Sequence, residues 1–327
     1  PFIVGWSIMN QTNTRAMVET AFVSAIGIIL TAVSVYLPVF GFLSFFVTPA
    51  AISIIGTKWG FKYSVVGTIV IFLLSTMLFG IFNSLTVGLF ALVGVGVGAG
   101  HRLSWNTLKR LLVPSIMMFF AVLFTIVASY TVTGVELSSV GPTLVEQAQS
   151  LANEAMEVNP SITQAQADEF VESVQKNVDT LGDMFFMAIA IAATVYTYVT
   201  IQISLWIGHR LRLSIPAFLA VEQWRMPIWG AGIFALGIIG FHGASYVHLD
   251  NPLVIAISKN LLLLGNFICS IHGFAALADI MTSYRVSNKA KWILLFVYTL
   301  IFSQALVILG IIDMFLDLRS RFNQRGY

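Results

Sequence analysis

The sequence predicts an all-α fold: a polytopic transmembrane helical bundle of about nine spans, with an extracytoplasmic helical hairpin inserted between spans five and six. Hydrophobic side chains make up 57% of the 327 residues and charged ones only 10%, whereas a globular protein has roughly 25% charged residues. The mean hydropathy is +0.88. The apolar residues also occur in long runs, and this combination excludes an ordinary water-soluble domain.

The apolar runs are measured against the roughly 20 residues that a helix needs to cross about 30 Å of hydrocarbon. Runs near this length lie at 17–38, 41–57, 63–81, 84–100, 111–133, 184–207, 227–247, 253–282 and 292–315. The second and the fourth are short for a span. We therefore expect three segments along the chain: spans one to five in 1–133, the acidic hairpin in 134–183, and the remaining spans with a basic tail in 184–327.

Basic residues in the short loops give an orientation. They fall into five groups, at Arg15, at Lys58 and Lys62, at Arg102, Lys109 and Arg110, at Arg210, Arg212 and Arg225, and at Arg285, Lys289 and Lys291. Counting crossings puts all five groups on one side of the membrane, and the positive-inside rule identifies that side as the cytoplasm. A ninth crossing would place the basic tail outside the cytoplasm, against the positive-inside rule. The tail contains Arg319, Arg321 and Arg325. Either the tail is an exception, or one of the last two apolar runs turns back without crossing.

Residues 134–183 are the one long stretch of the sequence that is polar enough to be exposed to water. Nine of the fifteen acids lie there: Glu136, Glu146, Glu154, Glu157, Asp168, Glu169, Glu172, Asp179 and Asp183. Apolar residues recur at helical spacing on both sides of Asn159-Pro160, at Leu144, Ala148, Leu151 and Ala155 and then at Phe170, Val174, Val178 and Leu181. The pattern predicts two amphipathic helices outside the membrane, the second starting with a capping box from Ser161 to Gln164.

Small residues in span four predict close helix packing. Gly94 with Gly98 and Gly96 with Gly100 form two overlapping GxxxG spacings, which remove side chains from one face and let another backbone approach. The other helix is either a neighbour in this chain or one across a dimer interface.

Ionisable residues at membrane depth are costly and are therefore candidates for function. They are Glu19, His242, Lys259, His272, Asp279 and Asp313. We expect an i, i+4 pair between Arg15 and Glu19, and a ladder of Asp313, Asp317 and Arg321 at the inner boundary. His242 and His248 lack companions at metal-ligand spacing, so no metal site is expected.

Neutral polar residues in the spans suggest a cavity for a small polar solute. The candidates are Tyr36, Asn83, Tyr130, Tyr196, Gln202 and Asn266. Hydrogen bonding between helices is the competing role of these residue types. We find no Walker A sequence, nucleophile elbow, HExxH or dinucleotide fingerprint, so we expect neither an enzyme nor a cofactor.

A family resemblance lies in the stretches 14–25, 36–41, 48–49 and 58–62 near the start of the chain and 310–319 near its end. In these stretches the chain resembles the YybS-like family of bacterial membrane proteins (domain of unknown function 2232), which implies a bacterial inner membrane. The first half of that family in turn resembles the S-component of energy-coupling-factor vitamin transporters. This implies six spans, no ATPase of its own, and docking on a separate coupling protein through small residues of the first helix, where Ala21 and Ala25 stand.

The sequence is compatible with two functions. The first is an S-component-like subunit that binds or transports a small solute and depends on a separate ATPase and coupling protein. The alternative is a non-catalytic scaffold or accessory subunit of a larger membrane complex. Expected partners are membrane lipid and membrane proteins that contact the hairpin or the small-residue helix faces; no nucleic acid is expected.

Overall fold

The computed structural model describes residues 2–37, 40–134, 137–159, 161–246 and 251–323. Within these ranges the chain is 88% helical and has no strand, which confirms the all-α class. Glu136, Pro160, His248 and Arg325, which entered the predictions above, lie outside the described residues.

Twelve α-helices follow one another in the described ranges. They are α1 Phe2–Tyr36, α2 Gly41–Trp59, α3 Phe61–Phe79, α4 Ile81–Arg102, α5 Thr107–Thr133, α6 Leu137–Val158, α7 Gln164–Arg210, α8 Trp229–Tyr246, α9 Pro252–Ser283, α10 Asn288–Ile301, α11 Ser303–Leu316 and α12 Leu318–Asn323. A 3₁₀ turn, Val221–Gln223, lies between α7 and α8. Gly60, with φ of 99°, joins α2 to α3 because glycine adopts this conformation without strain.

Several helices are long and apolar enough to cross a membrane. Among the described residues there are six, in α1, α3, α4, α5, α7 and α9, or seven if the bent pair α10 and α11 forms one broken span. Helices also lie at the predicted runs 41–57 and 227–247, as α2 and α8. The protein is therefore a multi-pass membrane protein.

The run predicted as a span at 292–315 is not one continuous helix, and its bend fits either a broken span or a segment that turns back without crossing. At Phe302, which has φ of −122° and ψ of 39°, the run breaks into α10 and α11, and the two helix axes differ by 107°. No proline or glycine stands at the break. The bend is therefore not explained by a proline or a glycine in the local sequence.

The second helix of the predicted hairpin continues without interruption into the sixth predicted span, as the 47-residue helix α7. Its capping box lies two residues later than predicted. Gln166 N donates to Thr163 Oγ1 at 3.3 Å while Thr163 N donates to Gln166 Oε1 at 2.9 Å. Ser161, the predicted cap, instead donates to Asn159 Oδ1 at 2.6 Å.

The chain forms two compact units. Unit 1 comprises residues 1–140 and 192–218, and unit 2 comprises residues 141–191 and 219–327. The segment boundaries predicted at residues 133 and 183 remain predictions, although residue 183 falls inside α7.

Glycines allow the closest helix contacts inside each unit. In unit 1, a Cβ atom on Gly94 would lie 2.1 Å from Pro49 O of α2. In unit 2, a Cβ on Gly273 of α9 would lie 1.9 Å from Leu306 O of α11, and one on Gly310 would lie 2.0 Å from Cys269 O. Backbones this close exclude any side chain, and such packing holds helices together where lipid offers no hydrophobic driving force.

Candidate functional site

A polar cleft of about 120 Å³ lies among α1, α2 and α4 of unit 1. It is lined by Thr31, Ser34, Val35, Phe45, Asn83, Thr86 and Val87. None of these side chains is charged. Two of the polar groups donate to backbone carbonyls nearby. Thr31 Oγ1 donates to Gly27 O of its own helix at 2.9 Å, and Asn83 Nδ2 of α4 donates to Phe79 O, at the end of α3, at 3.0 Å. The lining offers hydroxyl and amide groups to a neutral ligand.

Further hydroxyl groups lie inside unit 1, on α2, α3 and α4. Ser84 Oγ and Thr76 Oγ1 are 2.7 Å apart and hydrogen bond to each other. The hydroxyls of Ser44, Thr48 and Ser75 are buried and have no hydrogen-bond partner among the described residues. A buried hydroxyl without a partner costs about 1–3 kcal/mol.

The structure brings one of the predicted solute-facing residues, Asn83, to this cleft. Tyr36 is 71% exposed and packs edge-on against Phe79. Tyr196 donates to Phe45 O at 2.5 Å, so its hydroxyl ties α7 to α2.

The other three predicted solute-facing residues lie elsewhere. Tyr130 of α5 is 49% exposed. Gln202 is partly buried on α7. Asn266 belongs to unit 2, where it accepts from Ser270 Oγ at 3.3 Å.

The small residues of span four lie against other helices of the same chain. A Cβ on Gly98 would lie 2.6 Å from Ser53 O of α2, on the face that also carries Gly94. Gly96 and Gly100 face the start of α5, where a Cβ would meet Met117 Sδ at 2.7 Å and Arg110 Cγ at 3.3 Å respectively. The two GxxxG faces thus pack on different neighbours of α4, one on α2 and the other on α5 and the turn before it.

Ala21 and Ala25 of α1 have a different setting. Both are exposed, and so is the neighbouring Phe22, at 68%. The inward face of α1 consists of other small residues, namely Ala16, Thr20, Ser24, Gly27 and Thr31. The alanine face is therefore uncovered by the described part of this chain.

A buried arginine and histidine lie at the other end of α4. Arg110 is 2% exposed, and its Nη1 donates to Pro216 O at 2.9 Å and to Ala217 O at 3.2 Å. Its Nη2 donates to His101 Nδ1 at 2.8 Å, which leaves the imidazole proton on Nε2, 3.1 Å from Ser204 Oγ. Among the described residues no carboxylate reaches this guanidinium, and its Nε has no partner.

The hydrogen-bond chain continues into α2. Ser204 Oγ lies 2.5 Å from Ser53 Oγ, so one polar connection runs through α5, α4, α7 and α2. In the sequence, Arg110 indicates only the cytoplasmic side, and His101 stands in no recognised motif. A histidine and an arginine that flank a short turn, nine residues apart, are candidates for a contact, but their spacing does not predict that both side chains are buried.

Unit 2 contains a second buried arginine. Arg319, 1% exposed, donates from Nε to Asp313 Oδ2 at 2.7 Å and from its backbone N to Asp313 Oδ1 at 3.1 Å. His272 Nε2 is 2.9 Å from Asp313 Oδ2, while Met226 N donates to His272 Nδ1 at 2.9 Å. The carboxylate is thus shared by an arginine and a histidine.

This arrangement overturns the predicted ladder of Asp313, Asp317 and Arg321. Asp317 adopts a left-handed conformation, with φ of 44°, and ends α11. The chain therefore turns back, and Arg319 rather than Arg321 reaches Asp313. Asp317 pairs instead with Arg225 at 3.1 Å.

The turn Val221–Gln223 is held from two sides. Arg319 Nη1 donates to Glu222 O at 3.1 Å and to Trp224 O at 2.9 Å. Lys291, 4% exposed, donates to the Glu222 carboxylate and to Thr282 Oγ1 at 3.1 Å. Burial by itself raises the pKa of the Glu222 carboxyl, but the hydrogen bonds from Lys291 and from the backbone outweigh it, so that the pKa lies below its usual value.

The predicted pair of Arg15 and Glu19 is confirmed, at 3.1 Å. Glu19 also accepts from Lys58 Nζ at 2.6 Å and from Trp59 Nε1 at 2.8 Å, so that it connects the middle of α1 to the end of α2. In unit 2, Lys259 donates to Asp183 Oδ2 at 2.5 Å.

Comparison with curated proteins and with solved structures gives no significant match. A family model described as a predicted membrane protein, DUF2232, matches residues 25–314. The match includes the cleft, both buried histidines and Asp313. It covers most of the chain and confirms the resemblance to the YybS-like family, so the protein belongs to the DUF2232 family of predicted membrane proteins.

Proposed function

We propose that the protein is an S-component-like subunit of the bacterial cytoplasmic membrane, which binds a small uncharged polar solute in the cleft of unit 1. The observation that carries the proposal is the lining of that cleft, with Thr31, Ser34, Asn83 and Thr86 among apolar neighbours. At about 120 Å³ it is smaller than the roughly 300 Å³ and more of pockets for drug-sized ligands. A solute of a few heavy atoms would fit.

The helix number of unit 1 supports the proposal. The unit contains six helices, α1 to α5 and the C-terminal part of α7, and the S-component resemblance implies six spans. The cleft lies near the end of α1 and the beginnings of α2 and α4. With the basic loops in the cytoplasm, these helix ends face outward, where an importer would capture its solute.

Ala21 and Ala25 are the proposed contact for a coupling protein. Their face of α1 is exposed, and small residues permit a close approach of another helix in lipid. Because the sequence has no nucleotide-binding motif, energy would come from a separate ATPase.

Solute binding is tested on protein purified in nanodiscs, by thermal shift with a panel of small alcohols, amides and polyols. We expect at least one compound to raise the melting temperature of the native protein and to leave Asn83→Leu unchanged. Asn266→Leu, which alters an amide in unit 2, is the control and should respond like the native protein. A ligand that stabilises all three proteins equally would place the binding site elsewhere.

Docking is tested with Ala21→Leu/Ala25→Leu. Because both positions are exposed, we expect an unchanged melting temperature and the loss of a co-purifying ATPase complex. Ile29→Leu, at another exposed position of α1, is the control. A lower melting temperature with the same partners would show that the alanines pack within this chain.

Orientation is tested by labelling a cysteine at Ser150 in a Cys269→Ala background. We expect an impermeant maleimide to label Ser150→Cys in intact cells and Lys109→Cys only after lysis. The reverse result would invert the topology and make the cleft face the cytoplasm.

The accessory-subunit alternative is favoured by a different observation. Helix α6 and the first part of α7 expose large apolar side chains, including Leu151 at 59% and Phe170 at 46%, in the most acidic stretch of the chain. Apolar side chains in a water-facing segment are typical of a protein-binding surface.

A further inference from the structure

Three exposed apolar side chains of α6 follow a seven-residue repeat. Leu144, Leu151 and Val158 are 47%, 59% and 86% exposed. Seven residues are nearly two helical turns, so the three side chains form a line along the helix. On α7, Phe170 and Leu181 are 46% and 59% exposed. The seven-residue spacing on α6 is the one at which a position recurs along the contact line of a coiled-coil helix.

The two helices meet each other through smaller residues. Ala148 and Ala152 of α6 and Ala167 of α7 are 4%, 6% and 3% exposed, and a Cβ on Gly141 would lie 2.7 Å from Val178 Cγ1. These small residues are therefore buried, and two of the large exposed ones, Leu151 and Phe170, border an open cleft of about 320 Å³. Its lining includes Leu151, Ala155, Ile162 and Phe170.

Acidic residues flank this opening. Glu154 and Glu157 follow Leu151 on α6, Glu169 directly precedes Phe170 on α7, and all three are exposed. Lys176 is the single base in residues 141–183. In coiled coils, charges beside the apolar line select the partner and its orientation, and an acidic border favours a basic occupant.

We propose that the cleft between α6 and α7 binds one amphipathic helix of a partner protein, with an apolar face between Leu151 and Phe170 and Lys or Arg on both flanks. The occupant completes a three-helix coiled coil. From Leu144 to Val158 the line measures about 21 Å at 1.5 Å per residue, which sets the bound helix at about four turns. The inference rests on the accessory-subunit alternative of the proposed function and does not require solute binding.

The test measures fluorescence anisotropy of two labelled 21-residue peptides against the full chain in nanodiscs of zwitterionic lipid. Both peptides carry leucine at heptad positions a and d; one carries lysine at e and g, and the other carries glutamate. Empty nanodiscs give the lipid background. We expect the lysine peptide to bind at least tenfold more tightly than the glutamate peptide, with an affinity that falls as salt is added.

Two variants test the surface itself. Leu151→Gln/Phe170→Ser should weaken binding of the lysine peptide at least tenfold at an unchanged melting temperature, because both residues are exposed. Glu154→Lys/Glu169→Lys, which leaves the apolar line intact, should reverse the preference between the peptides. Equal binding of both peptides, binding unaffected by either variant, or a cleft occupied by a second copy of this chain in a concentration-dependent dimer would each overturn the proposal.

A further variant distinguishes a failure of the helix-binding proposal from a failure of the solute-binding proposal. Asn83→Leu, which alters the cleft of unit 1, should bind the lysine peptide like the native protein. Peptide binding without any solute response would retain this inference and reject the solute proposal, and the opposite result would do the reverse.

Discussion

Each compact unit buries one arginine beside a histidine, and each arginine donates to two backbone carbonyls of the segment after α7. Arg110 does so in unit 1, at Pro216 and Ala217, and Arg319 does so in unit 2, at Glu222 and Trp224. The difference is charge. Arg319 has Asp313 as a counter-ion, whereas no carboxylate among the described residues reaches Arg110. The consequences of removing a partner should therefore differ between the two units.

The largest effect is expected at Asp313. Asp313→Asn removes the counter-ion of a guanidinium that is 1% exposed, and breaking one side of a buried pair costs about 3–5 kcal/mol. We expect a large loss of melting temperature in nanodiscs. Asp317→Asn is the control, because its pair with Arg225 is half exposed, at 50% and 60%, and such pairs contribute about 0–1 kcal/mol.

The double variant Asp313→Leu/Arg319→Met sharpens the comparison. Since both charges are removed together, we expect it to be more stable than Asp313→Asn. A double variant less stable than the single one would show that Asp313 acts mainly through His272.

The next largest loss of stability is expected from widening the distance between α9 and α11, the helices that carry His272 and Asp313. Gly273→Ala would place a Cβ where Leu306 O lies at 1.9 Å, and so push α11 away from α9. Overpacking of this kind costs about 1–3 kcal/mol. Gly232→Ala, where nothing lies within 4 Å, should be neutral. If the two variants melt at the same temperature, the α9–α11 contact does not hold the cluster together.

A smaller effect is expected at Arg110. Arg110→Met removes the hydrogen-bond donor of two backbone carbonyls and of His101, and an unsatisfied buried group costs about 1–3 kcal/mol of stability. Unlike Asp313→Asn, it leaves no buried charge without its partner. We therefore expect it to melt above Asp313→Asn. A loss as large as that of Asp313→Asn would mean that an anion compensates Arg110 in the native protein and would remove the contrast between the units.

The smallest effect is the pH dependence of the Glu222 and Lys291 pair. The folded-state pKa of Glu222 lies below its usual 4.5, so the pair stabilises the fold above that pH. The contribution is lost as the pH falls from 4.5 through the lowered pKa of the folded protein. Between pH 7 and pH 3 the native protein should lose more melting temperature than Glu222→Gln. Equal losses would show that other acids govern acid unfolding.

Local patterns in the sequence determined the fold class, because run length and composition alone decide whether a helix can cross lipid. They also determined the Arg15–Glu19 pair, which needs only one helical turn between its members. The close packing of α4 followed from the glycines at 94 to 100, although not which neighbouring helix each pair would face.

Only the tertiary structure decided the break at Phe302, the turn at Asp317 and the two buried arginine–histidine pairs. His272 and Asp313 are 41 residues apart, and Arg110 reaches carbonyls more than 100 residues away. Helical spacing predicted a ladder from Asp313 to Arg321, but it assumes that the helix continues. The buried Asp313 carboxylate is satisfied instead by Arg319 and His272, because an unpaired charge in the interior costs far more than ending one helix.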